Sequence, residues 1–109
     1  MSLTLLVTRD VAARYRGFLA SVMPELAPGV YVAPGLNAAV RERVWAVLES
    51  WWEQAPGGAV VLAYADRRAP GGLAVRTLGT PPVALAVVDG VRLVVRGTDA
   101  AAAEGRASP

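Results

Sequence analysis

The 109 residues have the length of a single domain, since domains cluster near about 100–150 residues, and leave no room for a second. A composition 54% hydrophobic and 18% charged is too apolar for disorder, yet no apolar run approaches the ~18–20 residues of a membrane span. With neither Cys nor His, thiol catalysis, disulfide staples, Cys/His zinc sites, imidazole haem ligation and Ser-His-Asp triads are excluded, so carboxylates, hydroxyls and arginine must carry any chemistry. The net charge is only +2, but all 11 cationic residues are Arg. GC-driven codon bias accounts for that; so does a need for guanidinium forks, which grip phosphate and stack on bases better than ammonium does. Where the arginines sit decides between the two.

Residues 2–7 (SLTLLV) read as a buried strand closed by the polar corner Thr8-Arg9-Asp10. Asp10 is placed to cap a helix over about 11–22, in which Val11, Tyr15, Phe18, Leu19 and Val22 share one face and which Pro24 and Pro28 end. Residues 29–33 (GVYVA) read as a strand broken by Pro34-Gly35. Asn37 caps a second helix running to about Gln54. Val40, Val44, Val47, Leu48 and Trp51 form its inward stripe, and Arg41, Glu42, Arg43, Glu49 and Glu53 face outward. Trp51 is expected in the core, with Trp45 or Trp52 half exposed. After Pro56-Gly57-Gly58 come a short buried strand, Ala59–Ala65, a loop over 66–72, and an alternating strand, Leu73–Leu78, in which Arg76 points away from Val75 and Thr77. Beyond the stiff Thr80-Pro81-Pro82, two β-rich runs, 83–88 and 91–95, flank Asp89-Gly90, a strong signal for a type I′ hairpin. Residues 97–109 are predicted to be a disordered tail.

This order predicts one α+β domain over residues 1–96, a sandwich with two helices on one face of a sheet and an appended hairpin at 83–95. Strands as continuously apolar as 3–7 and 60–65 ask for cover on both sides, and two helices cover only one. A homodimer joined sheet to sheet supplies the rest, burying on the order of 1,600 Å². The hairpin either extends its own sheet or pairs with a partner's edge. No targeting segment is visible, and a cytoplasmic location is expected.

Four constellations are candidates for chemistry. Arg9, Arg14 and Arg16 gather where the first strand hands over to a helix start, a place suited to phosphate. Against one shared ligand, Arg14 and Arg16 lie roughly 200° apart around a regular helix, as solvated positions do. Arg67-Arg68 reads either as a phosphate-seeking loop or as a solvated turn. Asp10, Glu25, Asp66 and Asp89 sit at corners where a divalent metal is held, or where acids act as caps. The tryptophans serve packing or base stacking. The Pro-Gly-Gly stretches lack the Lys-Ser/Thr of a P-loop.

Taken in order, Thr8, Val11, Arg14-Tyr15-Arg16-Gly17, Leu19-Ala20, Gly29-Val30-Tyr31-Val32, Arg41-Glu42, Trp45, the strand from Val60 to Ala65, Arg76-Thr77-Leu78-Gly79 and Asp89-Gly90-Val91-Arg92-Leu93-Val94 resemble the CRISPR-associated Cas-two family in its subtype I-E form. The resemblance spans about residues 2–95. It implies a ferredoxin-like fold with a mainly antiparallel sheet, dimerised through that sheet, and a central place in the adaptation complex. There the dimer sits between two dimers of the Cas-one integrase and holds a short DNA duplex. It also implies that Arg14 and Arg16 contact the DNA backbone and that the C-terminal strands, here Val83, Leu85, Val87, Val91, Leu93 and Val95, dock on the integrase. Many relatives carry a metal-binding acid at the end of the first strand; this chain has Arg9 there, which repels a metal, followed by Asp10. The basic pair that I-E relatives carry after the fourth strand is replaced by Thr80-Pro81-Pro82, leaving Arg67 and Arg68 as substitutes in a neighbouring loop.

The expected function is therefore a dimeric scaffold that binds double-stranded DNA through Arg9, Arg14, Arg16, Arg67 and Arg68 and requires no cofactor. The competing reading is a magnesium-dependent endonuclease with Asp10 as catalytic and metal-ligating residue. A small-ligand regulatory module is the third.

Overall fold

The strand that opens the fold begins at Thr4 and runs on to Arg9, further than the sequence predicts, because Thr8 and Arg9 still pair with Val60 and Ala59. In the computed structural model, which describes residues 3–79 and 84–95, the elements are β1 (Thr4–Arg9), α1 (Ala13–Ala20), β2 (Glu25–Ala27), β3 (Val30–Ala33), α2 (Ala38–Gln54), β4 (Ala59–Ala65), β5 (Leu73–Leu78), β6 (Ala84–Val88) and β7 (Val91–Val95). The first six are the strand–helix–strand–strand–helix–strand order of a ferredoxin-like fold. Their sheet, ordered β2-β3-β1-β4-β5, is antiparallel at every pairing, with β5 added at the edge by a hairpin after a short 3-10 turn at Pro70–Gly72.

Alternation along β1 sorts the sheet into two faces. Thr4, Leu6 and Thr8 are buried on the side facing the helices, together with Tyr31 and Ala33 of β3 and Val60, Leu62 and Tyr64 of β4. Tyr15 and Leu19 of α1, Met23 after it, and Val44, Trp45 and Leu48 of α2 complete this core. Each fully buried Leu, such as Leu6, Leu19 and Leu48, contributes about 1.5–3 kcal/mol relative to exposure.

Local chemistry explains both the agreements and the departures. Asn37 caps α2, its side chain accepting from the Val40 N–H at 2.9 Å, and the helix ends at Gln54 as predicted. Asp10 caps nothing. It adopts φ +56°, one of the few residue types at ease in the left-handed region, and turns the chain so that α1 starts at Ala13 behind Ala12. That helix is shorter than the 11–22 expected, because the Ser21 hydroxyl donates to the Phe18 carbonyl at 2.6 Å and closes the last turn ahead of Pro24. Strand β2, absent from the sequence reading, is a three-residue edge between Pro24 and Pro28, bulged against β3. Gly58 is required where it stands: its φ is +77° and a Cβ would lie 2.5 Å from the Asp10 carbonyl oxygen.

Trp51, expected in the core, is only half-buried; Trp52 is half-buried as one of the two alternatives had it, its Nε1 donating to the Gly58 carbonyl, and Trp45 is a core residue, 5% exposed. Strand β5 widens the floor beneath α2, so the buried stripe extends past Val44 to Trp45, which borders Arg76 and Thr77. Arg41, assigned to the outer face, instead lies flat on Tyr64, 3.6 Å from the ring centroid, with its side chain only 13% exposed.

Strands β6 and β7 form a separate two-stranded ribbon, and β7 passes beside the Pro70–Gly72 turn. Asp89 and Gly90 both have positive φ, as a type I′ turn requires. Thr80-Pro81-Pro82, Val83 and the 97–109 tail lie outside the described residues.

Candidate nucleic-acid interface

The five arginines singled out by sequence fall into two groups. Ala59 pairs with Arg9 at one end of the central strands and Tyr64 with Thr4 at the other, so Arg67-Arg68, just beyond β4, stands at the opposite end from Arg9. Six strand residues separate them, roughly 20 Å. Arg67 and Arg68 are exposed, and the Arg68 N–H donates to Asp66 Oδ1 at 2.9 Å, which makes Asp66 a turn residue.

At the first end each arginine is held differently. Arg9 shares the parity of Leu3, Leu5 and Val7, which places it on the face turned away from the helices, lining a groove with Val7, Thr8, Ala59 and Val61. The Arg14 guanidinium stacks over Trp51, 4.7 Å from its ring centroid, and Tyr15 and Phe18 meet the same indole edge-on at 5.4 Å. This fixes a cation at the α1–α2 seam with its N–H groups free to turn outward. Arg16 leans the other way, toward β2, where its Nη2 lies 3.3 Å from Glu25 Oε2. The 200° spacing thus does what it predicts: Arg14 and Arg16 do not converge on one ligand.

Glu25 is the residue that sequence reasoning did not connect to this cluster. Its backbone pairs with Tyr31 across β2–β3, so both side chains stand on the helix side of the sheet beside α1. The carboxylate accepts the Gly29 N–H at 2.9 Å and has its pKa lowered from the ordinary value, chiefly through that bond, with Tyr31 and Arg16 adding to it against burial. Tyr31 and then Glu25 push Arg16 up in turn. The Tyr31 hydroxyl, fully buried beside the pair, makes no hydrogen bond of standard geometry, and burial raises its pKa.

Asp10 lines a 250 Å³ groove with Thr8, Val11, Arg16, Pro28 and Gly29. Magnesium takes near-octahedral oxygen coordination, and a lone carboxylate sharing its groove with a guanidinium does not fit it. Among the described residues, Asp and Glu nowhere gather in threes. A second groove, 510 Å³, opens between α2 and β5 and carries the Glu42–Arg76 ion pair at 2.8 Å.

Residues 3–93 match the model of a family described as CRISPR-associated protein (Cas_Cas2CT1978). The chain belongs to this family. The match runs from the start of β1 into β7, so both arginine groups and most of the ribbon lie within what the CRISPR-associated family shares. No helix among the described residues is long and apolar enough to cross a membrane.

The ribbon carries the residues expected to dock on a partner. Val87, Val91, Leu93 and Val94 are about half exposed. Because Val88 pairs with Val91 across a two-residue turn, Val87 lies on the opposite side of the ribbon from Val91 and Leu93. Among the described residues, Val87, Val91 and Leu93 therefore do not share one docking face.

Proposed function

We propose that this CRISPR-associated protein is the DNA-binding, dimeric scaffold of spacer acquisition, of the subtype I-E kind, which holds a prespacer duplex between dimers of the Cas-one integrase. The observation that carries this reading is the uncovered face of the sheet. Val32, Leu5, Ala63 and Val75 align across four strands, Val30, Val7 and Val61 lie beside them, and Leu3 and Leu5 are 55% and 36% exposed. A second copy laid on this face removes the exposed apolar surface, and its two-fold axis repeats Arg9, Arg14 and Arg16 on the other half. Two such sets, with Arg67 and Arg68, neutralise phosphates along a duplex without reading bases. The half-exposed ribbon is then available to the integrase.

Sedimentation velocity and fluorescence anisotropy on arbitrary-sequence duplexes test this together. A dimer is expected, with log affinity falling against log salt at a slope of roughly −4 to −5 for about four to six neutralised phosphates. A monomer, or affinity indifferent to salt, overturns the reading. Magnesium-dependent cleavage of RNA or DNA that vanishes in Asp10→Ala establishes the endonuclease alternative instead.

A further inference from the structure

Of the arginines at the first end of the sheet, Arg16 alone already has an anionic partner among the described residues, and that partner is firmly seated. Glu25 is held by the Gly29 N–H at 2.9 Å, a bond independent of Arg16, whereas its contact with Arg16 is longer, 3.3 Å, and exposed. Gly29 is itself fixed: its carbonyl accepts both the amide and the hydroxyl of Thr8, and at φ +79° a Cβ would lie 2.7 Å from the Thr8 carbonyl oxygen. Asp10 adds a second negative charge along the groove that Arg16 lines. The acid stays in place, and the arginine is free to leave it.

Resting on the DNA-binding reading above, we infer that Glu25 is a built-in competitor for the Arg16 guanidinium and sets how tightly this end of the protein holds a phosphate backbone. A duplex phosphate must take Arg16 from a carboxylate that remains nearby and repels it, so Glu25 weakens binding. It thereby keeps a scaffold that must bind any sequence from holding DNA too tightly to release it. Were Glu25 instead to aim Arg16 at the phosphate, removing its charge would weaken binding, so the sign of one measurement separates the two.

That measurement is anisotropy of a fluorescein-labelled duplex of arbitrary sequence titrated with the full chain between about 50 and about 200 mM salt. Glu25→Gln keeps an oxygen for the Gly29 N–H and removes the charge. It is expected to tighten binding about three- to tenfold at the low-salt end, the scale of one unit charge several ångströms away in screened water. The salt slope should steepen by about one for each Arg16 released. Glu25→Ala, on an exposed edge strand, must move affinity in the same direction, which protects the test if the Gln variant folds poorly. The double variant Arg16→Ala/Glu25→Gln should gain less over Arg16→Ala than Glu25→Gln gains over wild type, because only the direct repulsion of the phosphate is left to relieve. Unchanged or weaker binding by Glu25→Gln, or an Arg16→Ala variant equal to wild type, overturns the inference while leaving the DNA reading intact. A wild-type chain without salt-dependent affinity overturns both.

Discussion

The two faces of the central sheet are built from the same strands and differ in what stands on them. On the helix side, Leu6, Tyr31, Val60 and Leu62 are essentially inaccessible and the side chains are large. On the other, the aligned residues are mostly Val and Ala, with Leu3 and Leu5 left partly in water and Arg9 at the end. The first face is finished within the chain. The second is largely apolar, made mostly of Val and Ala, small side chains that suit contact with another sheet. A sheet therefore advertises its assembly by the size of the side chains it leaves uncovered as well as by their hydrophobicity.

Substitutions on one strand separate the faces most sharply. Leu6→Ala, on the covered face, is expected to cost about 2–5 kcal/mol in urea denaturation, because α1 and α2 cannot both settle into the cavity. Leu3→Ala, three residues away on the open face and 55% exposed, should cost under about 1 kcal/mol in the same assay run on chain diluted enough to be monomeric. Equal costs would mean that the open face is covered within the chain and would remove the argument for a second copy.

Next in size is the effect of a charge in the middle of the open face. Ala63 lies between Leu5 and Val75, so Ala63→Glu should leave the far-UV spectrum and the monomer's unfolding midpoint nearly unchanged while shifting sedimentation from dimer to monomer. Duplex affinity should fall with it, since half of the arginines are lost from each particle. A dimer that survives Ala63→Glu places the interface elsewhere, with the ribbon as the first surface to examine.

Much of this division was legible in sequence. The near-continuous apolar strands asked for two covers, and the pattern supplied helices for one; Asn37, Asp89-Gly90 and the bounds of β4 and β5 followed from local chemistry alone. What escaped has physical reasons. Asp is favoured both at helix caps and in left-handed turns, so Asp10 is ambiguous until the crowding around Gly58 is known. Three exposed residues between prolines carry no strand pattern, and without β2 nothing connects Glu25 to Tyr31 or to Arg16. Trp45 borders Arg76 and Thr77 of a fifth strand, a neighbour that the helical stripe alone does not supply. The parity of the ribbon, by contrast, was available from the two-residue turn, which places 87 and 91 on opposite sides.

The cover itself depends on α2, and its cap offers a smaller test. Asn37→Ala removes the bond to the Val40 N–H and should cost about 1 kcal/mol, or roughly 4–8 °C in melting temperature, without touching the open face or the dimer.

The smallest expected effect is acid sensitivity at the rim where the two faces meet. Glu25 has its folded-state pKa held below the ordinary value of 4.5, first by the Gly29 N–H and further by Tyr31 and Arg16. A carboxylate depressed in this way stabilises the fold fully above its unfolded pKa, and that contribution disappears as pH falls through the lower, folded value. Glu25→Gln should therefore flatten the acid limb of a stability profile below about pH 4.5 and leave it parallel to wild type near neutrality. Because the carboxylate is close to solvent, the difference is slight in stability. Near pH 7 it is ionised in every molecule, so the competition for Arg16 is constant there, and any pH dependence of duplex affinity between 6 and 8 must come from another group.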